Sequence, residues 1–301
     1  MTNDPSHISV CICTYKRPQF LSRLLAELKT QDTGGRFTYS IIVADNDHAR
    51  SGESVVSEFA ATSPIPVRYC VEPRQNIART RNKAVENATG DHIAFIDDDE
   101  YPIPRWLLTL FETCHTYNAD GVLGTVKPHY EEGTPHWFIK GKFYERQTYP
   151  TGFVIDWRSG RTGNVLLKRS IFFGELEPFR PEFRSGEDQD FFHRMIEKGY
   201  RFVWCNEALA YEFLPPIRWK RRYLLRRALL RGAMGTQNAT FGARDIVKSI
   251  IAVPAYVVML PVVAMLGHHR FMRLFVSLCD HLGKLLALVG INPIKEPYVT
   301  D

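Results

Sequence analysis

The first hundred residues alternate short apolar runs with helix-length segments, and no other feature of the chain narrows the choice of fold as much. Residues 8–13 predict a buried strand, 18–29 a helix opening on Pro18, 39–44 a second strand, 52–61 a second helix and 67–71 a third strand. Asn76 then caps a helix reaching about residue 88, Thr89 and Gly90 close it, and residues 92–96 give a fourth apolar strand. Strands joined through helices need crossover connections, so the expectation is an α/β fold with a mostly parallel sheet covered on both faces. Ligands of such sheets bind outside the carboxyl ends of the strands.

The residues that follow the four strands are Thr14-Tyr15-Lys16-Arg17, Asp45-Asn46-Asp47, Glu72-Pro73-Arg74 and Asp97-Asp98-Asp99-Glu100, so polar and charged groups gather at one sheet edge. The last of these is the strongest signal, because a buried strand ending in four acids carries desolvation and mutual repulsion that a cation would relieve. Hard oxygen ligands suit Mg²⁺ or Mn²⁺, held through one or two carboxylates and substrate phosphates. The plain alternative is an exposed acidic turn. Asp45, delivered to the same edge, can accept from a nucleobase N–H or a ribose hydroxyl, although an Asp-Asn pair after a strand also makes an ordinary turn. A third acidic group, Glu187-Asp188-Gln189-Asp190, opens a helix. Ser185 with Asp188 reads locally as a capping box, so the local reading of Asp188 is structural.

The chain has 301 residues, enough for one large domain or a domain with an appendage, and its 45% apolar content is that of a globular protein. Its six cysteines are scattered without the paired spacings of a zinc site or disulfide framework, which predicts reduced thiols. A strand beginning by Ile8 leaves no room for a secretion signal, so a cytoplasmic setting is expected. The net charge of +5 is modest, but residues 218–231 hold seven cations (Arg218, Lys220, Arg221, Arg222, Arg226, Arg227, Arg231) and no acid. A solvated helix face, RNA or anionic lipid could each explain that block. The uncharged stretch 249–266 that follows favours lipid and argues against nucleic acid. Its 18 residues reach the lower limit for crossing a bilayer, but Pro254 and Pro261 interrupt them, which predicts a kinked or re-entrant hairpin in one leaflet. An amphipathic helix is expected over 271–289. A buried helical subdomain or a homo-oligomer interface are the alternatives for this tail.

Several of these stretches, taken in order, resemble one family. Ser9 to Pro18, the Asp45 turn, the run from Gln75 to Asn82, Asp97-Asp98-Asp99, Thr162-Gly163-Asn164 and Gly186-Glu187-Asp188 occur in the order of family-2 glycosyltransferases, over about residues 8–213. The likeness is to the branch that builds bacterial exopolysaccharides such as succinoglycan. It implies a GT-A, Rossmann-like nucleotide-sugar-binding fold at 1–214, with a nucleotide-sugar half at 1–120 and an acceptor half at 121–214. Residues 215–301 would be membrane-associated helices at the cytoplasmic face of the inner membrane.

Residue by residue, the resemblance gives Thr14 and Asp45 to the nucleotide base and Arg81 to the nucleotide pocket. Tyr15, Arg17, Asp98 and Asn164 join the nucleotide-sugar site, Asp98 near the ribose and diphosphate. Asp97 and Asp99 fill the Asp-x-Asp positions, with Asp99 the direct ligand of Mn²⁺ or Mg²⁺, and Asp188 falls on the catalytic base with Glu187 as its acidic neighbour. Lys16 departs from the asparagine that the family often carries there. The implied reaction is a single inverting displacement from a nucleotide diphosphate sugar, expected to be a UDP-sugar, onto a polyprenyl-linked saccharide. A sugar-phosphate nucleotidyltransferase would need a glycine-rich loop after the first strand, and residues 14–18 contain no glycine. A non-catalytic sugar-binding scaffold would be expected to have lost Asp99 or Asp188, and both are present.

Overall fold

A computed structural model describes residues 6–183, 186–236, 241–291 and 294 of the chain. It divides into two compact units: Met1–Pro128, Arg146–Glu182 and Glu187–Phe213 form the first, and His129–Glu145, Phe183–Gly186 and Leu214–Asp301 the second.

In the first unit, β1 (Ser6–Thr14), β2 (Phe37–Asp45), β3 (Val67–Val71) and β4 (His92–Ile96) pair in parallel in the spatial order β3-β2-β1-β4. The crossovers are α1 (Pro18–Lys29), α2 (Glu53–Thr62) and α3 (Ile77–Asn87). Pro18 opens α1, where its missing N–H costs nothing, and Leu21, Leu24, Leu25 and Leu28 recur at the helical spacing that buries one face. Asn76 caps α3 as expected, its side chain accepting from the Arg79 N–H. Side chains alternate across β1, so Ile8, Val10 and Ile12 pack with α1, α2 and the later helix α4 (Trp106–Thr116), while Cys11 joins the opposite core beside α3. All six cysteines are free thiols.

Beyond β4 the pairing changes sense. Strand β7 (Asn164–Lys168) runs antiparallel to β4, and β6 (Gly121–His129) antiparallel to β7. At the far end β5 (Glu100–Pro102) pairs antiparallel with β8 (Phe202–Phe213), giving an eight-stranded sheet in the order β3-β2-β1-β4-β7-β6-β8-β5. Helix α6 (Glu187–Glu197) covers the α3 side of the sheet, with Phe191, Phe192 and Met195 in the core.

The second unit is helical. Helix α5 (His136–Gly141) sets Phe138 in a small core with Tyr144, Leu214 and Leu224, the last on α7 (Arg221–Gly235). Helix α8 (Ala243–Met265) is continuous, and the chain reverses only at Gly267, whose φ of +116° suits glycine, before α9 (His268–Leu288). The hairpin expected within 249–266 is therefore not there. Pro254 and Pro261 are seven residues apart, on one exposed side of the helix, so the two lost hydrogen bonds fall outward and the rest of the ladder continues. The amphipathic helix expected over 271–289 is α9, and its polar side is used as well. There Asp280 pairs with Arg231 of α7, and Gly232 and Gly283 let α7 and α9 touch through backbone: a Cβ on Gly283 would lie 2.2 Å from the Leu229 carbonyl oxygen.

One core residue makes the first unit acid-sensitive. His92 on β4 is buried against Phe111, and burial followed by repulsion from His115 pushes its pKa from 6.5 down to about 4. The unfolded chain takes up this proton first as pH falls, so stability is lost progressively from about pH 6.5 to about pH 4 and not further from this group. We expect His92→Gln to flatten that part of the stability curve by about 3 kcal/mol, read from denaturant unfolding at pH 7 and pH 4.

Candidate active site

The acidic run becomes a tight turn at the carboxyl end of β4. The Glu100 N–H donates to the Asp97 carbonyl at 3.0 Å, the Asp97 N–H to the Gly163 carbonyl at 3.2 Å, and the Phe213 N–H to the Asp99 carbonyl at 2.7 Å. A side chain at Gly163 would crowd the turn, because a Cβ would lie 2.8 Å from Asp97 Oδ2 and 3.0 Å from Glu100 Oε1. Asp97 is the most open of the acids, with its side chain 41% exposed, whereas those of Asp98 and Asp99 are 7% and 10% exposed.

Burial and mutual repulsion act on Asp97, Asp98 and Glu100. Burial lifts the Asp98 pKa to about 7, with the Asp99 charge adding to it and Arg17 and Thr14 opposing it. The surroundings raise Asp97 too, against the pull of Arg81, and burial raises Glu100 well above the usual carboxylate range. Both Glu100 oxygens are buried without a hydrogen-bond donor. Their nearest cation is Arg146, with Nη1 at 3.7 Å from Glu100 and Nη2 at 2.7 Å from Glu212. Arg146 lies in the aromatic, irregular stretch of the sequence, where no periodicity or motif marks it.

Thr14 donates to Asp98 Oδ2 at 2.8 Å, and Arg17 Nη1 approaches Asp98 Oδ1 at 3.3 Å and Asp99 Oδ2 at 3.4 Å. Tyr15, between them, is half-buried with the Lys16 ammonium 5.1 Å from its ring centre. Lys16 has φ of +54°, a conformation asparagine tolerates better than lysine.

Asp45 is fully buried and its oxygens are already engaged: Oδ1 accepts from the Asp47 N–H at 2.9 Å, and Oδ2 from the Gly52 N–H at 2.8 Å and the Tyr69 hydroxyl at 2.7 Å. Asn164 is likewise engaged, accepting from Trp106 Nε1 at 2.8 Å and donating to the Thr125 and Ala208 carbonyls, in space that Gly124 leaves open. In this arrangement both side chains brace the sheet edge, with acceptor capacity left on Asp45 Oδ1 and Asn164 Oδ1. Asn46, which the sequence did not single out, has a similar part, donating to the Glu72 and Arg74 carbonyls and accepting from the Asn76 N–H.

Arg81 joins the two acidic groups. Its Nη1 forms an ion pair with Glu187 at the start of α6, and its Nη2 lies 3.9 Å from Asp97 Oδ1. Burial opposes its charge, but Glu187 and Asp97 outweigh that and hold the guanidinium protonated. Glu187, pulled down by Arg81 but pushed further up by burial, sits above the usual carboxylate range. Asp188 is the next residue of α6 and accepts from the Gln189 N–H at 2.8 Å. The capping box that the sequence suggests for Asp188 depends on Ser185, which lies outside the described residues.

The donor set fits a hard divalent cation. Asp97 and Asp99 present carboxylates at the sheet edge, and a Mg²⁺ or Mn²⁺ completed by substrate phosphates needs no more from the protein. Among the described residues no cluster of three or more metal-ligating side chains forms a self-sufficient cage.

Comparison with known proteins agrees with this arrangement. Residues 9–172 match the sequence profile of "Glycosyl transferase family 2". The chain is 32% identical over 308 residues to the succinoglycan biosynthesis protein ExoM of Rhizobium meliloti, covering 98% of this chain and 97% of the relative. Among solved structures it resembles the mannosyltransferase PcManGT of Pyrobaculum calidifontis in complex with GDP-Man and Mn²⁺, with a TM-score of 0.65 at 14% identity, covering 95% of this chain and 88% of that one. It also resembles S. aureus TarS 1–349 in complex with UDP-GlcNAc, with a TM-score of 0.52 at 13% identity, covering 96% and 93%. The chain belongs to glycosyltransferase family 2 and has the GT-A fold.

The Arg81–Glu187 pair can be tested apart from any ligand. Removing one member of a buried ion pair strands the other, so Arg81→Gln and Glu187→Gln should each destabilise the chain by about 3 kcal/mol, and the double variant by much less than the sum. A cycle of denaturant unfolding free energies checks this. Additive losses would show that the two side chains do not act as a pair.

Proposed function

We propose that this family-2 enzyme is an inverting, metal-dependent hexosyltransferase that moves a sugar from a UDP-sugar to a polyprenyl-linked saccharide during exopolysaccharide synthesis. The observation that carries this reading is the acid turn at the end of β4, joined through Arg81 to the Glu187-Asp188 start of α6. It is supported by the likeness to the succinoglycan protein over nearly the whole chain, and by related folds solved with UDP-GlcNAc or with GDP-Man and Mn²⁺.

Asp99 and Asp97 would hold the cation, which when bound supplies positive charge to the departing diphosphate. Asp98, with Thr14 and Arg17 on its two oxygens, shapes the wall where the nucleotide lies. Asp188 accepts the proton of the acceptor hydroxyl as that oxygen attacks the anomeric carbon opposite the leaving group, so one displacement inverts the configuration. Glu187 and Arg81 fix the helix start that presents Asp188. Asp45 faces the nucleotide base and Asn164 belongs to the same nucleotide-sugar site, and both also brace the loops and strands that form it.

Release of UDP from a panel of UDP-sugars with Mn²⁺, with and without a lipid-linked acceptor, tests the reaction. Asp188→Asn should lower turnover by about 10²-fold while leaving UDP affinity in Mn²⁺ near the wild-type value. Turnover close to wild type would return Asp188 to a structural role at the helix start.

The same proposal places the enzyme at the cytoplasmic face of the inner membrane, peripheral or monotopic, and the second unit supports its membrane association. Helix α8 is 23 residues long, its apolar window has a mean hydropathy of 2.2, and only 6% of that window is buried within the protein. Ile251, Val258 and Met265 are among its exposed apolar side chains. Cations on α7 would add about 1 kcal/mol each at an anionic surface, a salt-sensitive contribution, and α8 would add one that salt does not remove. The full chain is therefore expected to stay with anionic liposomes in high salt, and the variant carrying Ile251→Glu and Val258→Glu to stay only in low salt. A variant that changes oligomeric state and keeps its liposome binding would assign the face to a homo-oligomer instead.

A further inference from the structure

Arg17 lies on one of the two carboxyls that a metal would need, that of Asp99, and on the neighbouring Asp98. Its Nη1 is 3.3 Å from Asp98 Oδ1 and 3.4 Å from Asp99 Oδ2, while Thr14 holds the other Asp98 oxygen. The stem that carries it starts from a fixed point: Lys16 is in the left-handed region, and the Pro18 ring restricts the backbone of Arg17 itself. The Arg17 side chain is 31% exposed, so solutes can reach it from the surface.

We propose that Arg17 is a built-in counter-cation that competes with the divalent metal for Asp99, so that metal binds tightly only together with the nucleotide diphosphate. The inference rests on the metal-dependent reading given above. Asp97, Asp98 and Asp99 repel one another, and in the donor-free protein Arg17 offsets part of that repulsion. A free cation has to displace it. A diphosphate changes the balance, because its oxygens offer the guanidinium another anion whose geometry suits its planar fork. Metal and nucleotide then each favour the other, and the acids are covered again by Arg17 once both have left.

The test is Mn²⁺ binding to the full-length protein, followed by loss of the electron paramagnetic resonance signal of free Mn²⁺, with and without UDP. Wild type is expected to bind Mn²⁺ weakly alone and more tightly with UDP. Arg17→Gln should bind Mn²⁺ alone about tenfold more tightly than wild type, and should gain less from UDP. Arg17→Lys, which keeps the charge, should follow wild type, and both variants should keep the thermal unfolding midpoint within a few degrees. Two results would overturn the counter-cation: Arg17→Gln binding Mn²⁺ alone no more tightly than wild type, or Arg17→Lys behaving like Arg17→Gln. A different result, wild type gaining no Mn²⁺ affinity from UDP and Asp99→Asn changing nothing, would defeat the metal-dependent reading itself.

Discussion

The candidate site depends on a concentration of negative charge that the protein could not tolerate unaided. Asp97, Asp98, Asp99 and Glu100 follow one another at the end of a fully buried strand, and Glu187 and Glu212 are brought to the same neighbourhood by α6 and β8. Three arginines from separate parts of the chain answer them: Arg17 from the β1 end, Arg81 from α3 and Arg146 from the segment before β7. Guanidinium suits this task because its charge persists in a buried setting and its fork can serve two carboxylates at once, as Arg146 does for Glu100 and Glu212. Buried ion pairs of this kind contribute little net stability, so their value lies in holding the acids in one arrangement.

The change of sheet direction after β4 is what closes the site. In an all-parallel sheet only strand ends would meet at the ligand edge. Because β7 runs antiparallel to β4, with Asn164 opposite Ile96, its beginning arrives there, and Gly163 lies against Asp97. Strand β8 then ends beside the acid turn, with Glu212 opposite Glu100. The reversal therefore brings to the β4 terminus a glycine without a side chain, and the end of β8 brings a carboxylate that needs Arg146. The same reversal explains Asn164, whose amide spans from Trp106 on α4 to the carbonyls of β6 and β8.

Much of this was legible in the sequence where the signal is local. The limits of α1, β3 and β4 follow from Pro18 and from apolar runs bounded by polar residues, and the Asn76 cap was readable from side-chain chemistry alone. The acid turn was legible because four consecutive acids after a buried strand have few purely structural explanations. Side-chain engagement was not legible. Position at a strand end says that Asp45 reaches the ligand edge, but not that Asp47, Gly52 and Tyr69 already donate to it. Arg81 stands in a motif, yet its partner Glu187 is 106 positions away and no local pattern connects them. The tail misled for the opposite reason: two prolines argued for a break, and their sevenfold spacing on one helix face let α8 continue to Gly267.

The two units pose different physical problems and solve them with different residues. In the first, packing is ordinary and the difficulty is electrostatic, so arginines and a glycine at 163 are decisive. In the second, the helices must approach closely while leaving an apolar face outside. Gly232 and Gly283 let α7 and α9 touch through backbone, and Asp280, bound by Arg231 and Lys284, fixes their register. Helix α8 is tied to α9 through the buried Ser249 hydroxyl, 2.9 Å from His281 Nδ1, near its amino-terminal end, while Val257, Val258, Val262 and Met265 further along remain exposed. An apolar helix held firmly at one end and bare along the rest is costly in water. That cost vanishes where the surrounding medium is itself apolar, which is the setting proposed above for α8.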